Sequence, residues 1–228
     1  MLNQILKIDH KNSIENVKFN NAFNLNSAYN KQNYEEYFGN LIHKTAIVNW
    51  DRVIIGKGNV IGPYSCIGTE PPNILENSDG LINIGNQNLI CEYVTIHLPT
   101  KKEFGTLIGD NNILMSSCHV GHDCIIGDDN VLCNNSAIAG HSRIMRGVTL
   151  ALNSSIHQFK IIGSWSMIGM NSCANKSILV EPGNIFFGVP SQNMGKNIVG
   201  LRRHKITKDK LSKENEYFNQ LICDHNYI

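Results

Sequence analysis

Histidines recur through the middle of this chain at a spacing that would line them up on a regularly coiled surface. His119 and His122 stand in C-H-V-G-H-D, His141 in I-A-G-H and His157 in I-H-Q-F. A step of 18 residues from His122 reaches Gly140, beside His141, and a second step reaches Gln158, beside His157. The chemistry on offer is general-base catalysis. A His next to a carboxylate, here His122–Asp123, has its tautomer and pKa set by the acid and can take a proton from an incoming nucleophile. Gly140 has a backbone N–H with no side chain over it, which suits the oxyanion formed in acyl transfer. Each histidine alone is as readily a solvated surface residue; the repeated spacing argues for a site.

The elements that must position these residues follow a period of six. From Ile108 through Val120, Ile138, Ile156 and Ala174 to Phe186, every sixth residue is apolar. Gly often follows the apolar residue (Gly109, Gly121, Gly127, Gly163, Gly169), and a small side chain usually stands four places after it (Cys118, Cys124, Ser136, Ser154, Ser172). An α-helix needs a period near 3.6. A six-residue period describes short strands and tight corners, with one aliphatic residue per strand turned to a central axis and coils stacked like strands of a sheet, about 4.8 Å apart.

The same pattern occurs earlier, at Ile55, Ile61 and Ile67 and again at Ile84, Ile90 and Ile96. Two segments break it. Thr69–Leu81 contains Pro-Pro and Asp-Gly and is predicted to leave the prism as a loop. His97–Leu107 replaces hexads with polar residues and Gly, and is a second candidate to leave. Residues 1–41 are rich in Asn, show no hexad and are expected to form a cap or arm over the first coil, whose strand edges would otherwise be open. The prism is expected over 42–191. The remainder, 192–228, is a tail with a terminal helix, because Leu211, Phe218 and Ile222 fall at helical spacing among charged residues.

The whole-chain properties narrow the partners. A net charge of +1 provides no basic field for nucleic acid. Seven cysteines without a C-x-x-C pair fit neither a disulfide framework nor a zinc ribbon, and suit a reducing cytosol. The N-terminus lacks the pattern of a secretion signal, and no apolar run approaches membrane-spanning length. The expectation is a cytoplasmic protein without stable membrane insertion.

The hexads resemble the hexapeptide-repeat family, in which three hexads make one 18-residue coil. That resemblance implies an all-β fold, a left-handed parallel β-helix with a short C-terminal α-helix. Its left hand comes from the resemblance, since the usual rule for crossovers gives the opposite. Within the family, H-V-G-H-D, N-N-S-A-I-A-G-H, H-Q-F and N-I-V-G-L-R-R resemble the UDP-N-acetylglucosamine acyltransferases of lipid A biosynthesis and related nucleotide-sugar acyltransferases, over roughly His43 to Arg203. The resemblance implies a homotrimer with sites between subunits and no covalent enzyme intermediate. It makes His122 the catalytic base, Asp123 its orienting acid and Gly140 the oxyanion N–H. His119, His141, His157 and Gln158 become groove residues, and Asn197 and Arg203 become nucleotide or phosphate contacts. Met170 matches a position that limits acyl-chain length, against a plain packing role for a Met in a hexad.

Departures from the family pattern bear on the substrate. The loop Thr69–Leu81 has Asn73 and Leu75 and no Lys where an Asp and a Lys are usual, Val199 replaces an acid, His204 replaces an Arg, and the C-terminal part is short. The expectation is therefore transfer of a short or 3-hydroxy acyl group from acyl carrier protein or coenzyme A, used as co-substrate with no bound cofactor. The expected acceptor is a nucleotide-linked amino sugar for surface glycan or lipopolysaccharide synthesis. O-acylation of UDP-N-acetylglucosamine is the alternative. The basic cluster Arg202, Arg203, Lys205, Lys208, Lys210 and Lys213 would receive the acidic carrier or the coenzyme phosphates, or is only a solvated helix face. Two further alternatives are a zinc-dependent γ-type carbonic anhydrase, which uses three His on neighbouring coils of the same prism, and a noncatalytic scaffold. No metal is expected. A Cys118–His119 nucleophile is set aside because Cys118 takes the small corner position.

Overall fold

The computed structural model of the protein describes residues 31–72, 80–100 and 105–224. The expectations for residues 1–30 and for Asn73 and Leu75 lie outside the described residues. The chain coils into a three-sided prism whose faces are sheets of ten, six and seven strands, parallel throughout except for one antiparallel strand at each end of the first. Most strands are two residues long, with the first side chain turned outward and the second to the axis. Leu114, Leu132 and Leu150 stack in this way on one face and are fully buried. One continuous core runs from Ile42 to Phe186 through the sixth-residue positions. Each buried Ile or Leu in it is worth about 1.5–3 kcal/mol over its exposed state.

The corners carry a feature that the hexad does not announce. From residue 111 to residue 171 every sixth residue has a positive φ, and only Gly147 among them is glycine. The others include Asp123, His141, Phe159 and Trp165, so the small residues of the hexad lie beside this position and not at it. Such a backbone costs about 1 kcal/mol for a residue with a Cβ, and Asn, Asp and His tolerate it best. A column of buried asparagines also climbs the prism. The Oδ1 of Asn40, Asn59, Asn88 and Asn112 each accept the backbone N–H of the next Asn, and Asn130 ends the column on Val148 N.

Successive coils are 18 residues apart from Asn112 to Asn130, but 24 from Asn88 to Asn112 and 29 from Asn59 to Asn88. Both excesses fall between a strand of the seven-stranded sheet and the next strand of the six-stranded sheet. One lies between Cys66–Thr69 and Ile82–Ile84, the other between Thr95–His97 and Thr106–Ile108. The two segments thus leave at the same corner. The second departure is shorter than the sequence suggested, since Thr95–His97 and Thr106–Ile108 stay in their sheets and Leu98 is fully buried.

At each end of the ten-stranded sheet the chain turns back. Tyr34–Tyr37 pairs antiparallel with Asn40–His43, and Gln192–Lys196 pairs antiparallel with Asn184–Phe187. The C-terminal region continues with α1 (Ile198–Arg203) and α2 (Lys208–Asp224). Phe218 and Leu221 of α2 bury against Met145 and Ile161 on the outer side of the six-stranded sheet.

Candidate active site

The corner where both loops depart also carries the histidines. Asp123, His141 and Phe159 occupy its positive-φ positions on three successive coils, each directly preceded by His122, Gly140 and Gln158. His122 Nδ1 lies 2.8 Å from Asp123 Oδ2, and His141 Nδ1 lies 3.8 Å from the same oxygen. The two imidazoles meet edge to face at 4.8 Å, and the next ring up, Phe159, stacks flat on His141 at 4.6 Å.

Asp123 is the best-held group in the cluster. Its side chain is 1% exposed, and Oδ2 accepts from the Thr100 hydroxyl at 2.7 Å and the Thr100 N–H at 3.0 Å as well as from His122. The Asp123 N–H donates to Thr106 Oγ1, whose hydroxyl donates to the His97 carbonyl. Burial alone pushes the carboxyl pKa upward. The donors from Thr100 and His122, with His141 beside them, outweigh burial and hold the group below its ordinary value. It is an anion at neutral pH, and His122 accordingly donates its Nδ1–H to it.

That bond leaves His122 Nε2 with its lone pair, and Nε2 has no partner among the described residues. Space for the ring comes from Gly140, where a Cβ would stand 2.4 Å from His122 Cε1 and 2.5 Å from Nε2. A Cβ on Gly121 would likewise stand 2.8 Å from Gly140 N. The Gly140 N–H donates to no acceptor among the described residues, while its carbonyl accepts from Phe159 N.

His119 lies on the adjoining face, with Nδ1 2.7 Å from Thr95 Oγ1 and its ring 4.7 Å from His97. Burial lowers the pKa of both, so both are neutral at pH 7. His157 and Gln158 are exposed on the third coil, where His157 Nδ1 is 3.0 Å from the Gln158 carbonyl. The structure therefore brings together His119, His122, Asp123, Gly140, His141, His157 and Gln158 along one corner and its neighbouring face. It adds His97, Thr100, Thr106, Gly121 and Phe159, which sequence reasoning missed. The available signal was the doubled threonine of L-P-T and G-T flanking the register break.

Three expected site residues stand elsewhere on the chain. Met170 is 53% exposed next to the positive-φ Asn171, on a second corner. Asn197 and Arg203 belong to α1, whose cap is tied to the third corner at Gly183 and Trp165. Asn197 caps α1, with its Nδ2 donating to the Trp165 carbonyl and its Oδ1 accepting from Gly200 N. Arg203 is exposed. One chain does not assemble these residues with His122.

The competing chemistries find less support. Cys118 is fully buried, and burial pushes its thiol pKa up to about 11, far from a thiolate at neutral pH. His122, Asp123 and His141 bring ligand atoms within 4.8 Å of one another, a set a divalent metal could use. The zinc alternative instead expected three histidines from neighbouring coils.

Comparison with known proteins reaches the same corner. Residues 105–140 match the family model "Bacterial transferase hexapeptide (six repeats)". The chain is 36% identical over 165 residues to the acyl-[acyl-carrier-protein]–UDP-N-acetylglucosamine O-acyltransferase of Synechocystis, covering 72% of this chain and 59% of that protein. It superposes on the UDP-N-acetylglucosamine acyltransferase of Bacteroides fragilis with a TM-score of 0.69 at 30% identity, covering 78% of this chain and 69% of that one. On LpxA of Acinetobacter baumannii the TM-score is 0.59 at 32% identity, covering 77% of this chain and 81% of that one. The chain belongs to the UDP-N-acetylglucosamine acyltransferase family. Its prism is the left-handed parallel β-helix of that family, with a C-terminal helix. It spans 59% of the length of the Synechocystis relative. Among its described residues no helix is long and apolar enough to cross a membrane.

Proposed function

We propose that the chain is an acyltransferase that moves an acyl group from an acyl carrier protein thioester to a hydroxyl of a UDP-N-acetylglucosamine-type nucleotide sugar. The observation that carries this reading is His122, whose Nδ1 is fixed on a buried carboxylate while Nε2 lies over Gly140 with no partner among the described residues. Nε2 takes the proton of the sugar hydroxyl as its oxygen attacks the thioester carbon. The Gly140 N–H donates to the resulting oxyanion, a contribution of about 10²–10³ in rate where single donors have been removed elsewhere. Collapse breaks the C–S bond, and the imidazolium returns the proton to the departing thiolate. His119, His141, His157 and Gln158 line the groove that holds the two substrates.

The relatives' printed activity, an O-acylation from acyl carrier protein, favours the hydroxyl over the amino sugar expected from the sequence departures. The amino sugar remains as a second reading because the loop Thr69–Leu81 contains no Lys. A trimer that brings a neighbour's Met170, Asn197 and Arg203 toward His122 fits their placement on the two corners other than that of His122.

The test is an acyl-transfer assay with acyl carrier protein and coenzyme A donors against UDP-N-acetylglucosamine and a UDP-linked amino sugar. Transfer to the N-acetyl sugar, lost by at least about 10³-fold in His122→Ala, is expected. Turnover surviving in that variant overturns the reading, and activity on the amino sugar alone promotes the second one. Turnover that tracks bound zinc and falls on chelation would return the metal alternative.

A further inference from the structure

The corner loop that looks like an interruption supplies a partner for the base. Thr100 stands three residues beyond the strand Thr95–His97, in the six-residue excess that separates this coil from the next. It is the only described residue that places two donors on Asp123. Its hydroxyl and its own N–H both reach Oδ2, the oxygen that also accepts from His122. A carboxylate only accepts, so the direction of the Thr100 hydroxyl bond is fixed, and the hydroxyl has one geometry in which to make it. The other oxygen, Oδ1, is buried and has no hydrogen-bond partner among the described residues. The carboxylate is therefore oriented from one side, by Thr100 and by the base it serves. Thr106, at the other end of the excess, fixes the backbone of the same residue through the Asp123 N–H.

We infer that Thr100 is a positioning residue for the general base: it sets the plane of the Asp123 carboxylate, and through it the angle at which His122 presents Nε2 over Gly140. The inference rests on the proposed role of His122. It gives the loop a part in the chemical step that is separate from any contact the loop makes with substrate.

Thr100→Val keeps the shape and the backbone N–H and removes only the hydroxyl. The expected result is a fall in kcat of about 10- to 100-fold, the range for one hydrogen bond to a charged group, with KM for both substrates within about twofold. The His122 Nδ1 proton, followed by NMR, should move in the valine variant. Thr100→Ser should restore most of kcat and the resonance, with the melting temperature unchanged in both. Wild-type kcat in Thr100→Val, together with an inactive His122→Ala, overturns the role of Thr100 and leaves the base assignment standing. A loss that serine does not restore, or that follows a lowered melting temperature, also overturns it by assigning Thr100 to packing. Full activity in His122→Ala instead overturns the reading on which the inference rests.

Discussion

His122 and Gly140 come from adjacent coils, and neither tolerates the other's enlargement. Gly140 does not have a positive φ, so its backbone accepts an alanine without strain. What excludes a side chain there is the His122 ring, 2.4 Å from the place a Cβ would take. Gly140→Ala should therefore push the imidazole off Asp123, lowering both turnover, by about 10²-fold or more, and the melting temperature. In a His122→Ala background the same change should cost almost no stability. A double-mutant cycle by thermal unfolding checks this, with a coupling of about 1–3 kcal/mol expected for residues in direct contact. The acid beside the base shows a related economy. Asp is among the residues best suited to the left-handed corner, so the residue the backbone accepts at position 123 is also the one that the proposed chemistry uses.

At the scale of the coil, the structure separates what periodicity reveals from what it hides. The sixth-residue positions from Ile108 to Phe186 could be named from the sequence because each sits in the same place relative to the axis, and all of them are buried. The line His122, Gly140, Gln158 was legible for the same reason. The asparagine column was not, because Asn40, Asn59, Asn88, Asn112 and Asn130 are separated by unequal intervals and become a line only once the insertions are placed. Thr100 escaped notice for a similar reason, lying in a stretch read only as a break in register. The column is also where a single change should weaken the prism most sharply. Asn88 is fully buried, takes the Asn112 N–H on Oδ1, and gives its Nδ2 to Asn59 Oδ1 and the Gly109 carbonyl. Asn88→Leu strands the Asn112 N–H, the Asn112 Nδ2 and the Gly109 carbonyl inside the fold, while Asn59 Oδ1 keeps the backbone N–H of residue 88, and should cost about 3–5 kcal/mol, read by urea unfolding.

Across the prism the buried histidines and the Asp123 carboxylate act in one direction on stability. His97 and His119 have folded pKa values below their ordinary value because burial disfavours the charged ring. Below about pH 6.5 the unfolded chain therefore binds protons that the folded chain refuses, and stability falls as pH drops through that value. Asp123 adds to the same trend lower down. Its folded pKa is depressed, so its contribution is complete above the ordinary carboxylate value and is lost as pH falls through the folded one. The melting temperature should decline from pH 7 to pH 5 and more steeply below pH 4. Replacing His97 and His119 by Gln should flatten the first decline and leave the second.

Three corners of the prism do three different jobs. One is clamped by α1 and α2, one exposes Leu152 and Met170 to solvent, and one lets the chain out twice and back in register. The strands on either side of the last corner pair as they do elsewhere, although 29 residues separate one pair of coils and 24 the next. Length is thus tolerated at that corner without being felt on the other two. A lineage could lengthen, shorten or replace the two excursions while inheriting His122, Asp123 and the core unaltered. The prism behaves as a fixed spindle with one open port, and selection for substrate can be confined to what is threaded through it.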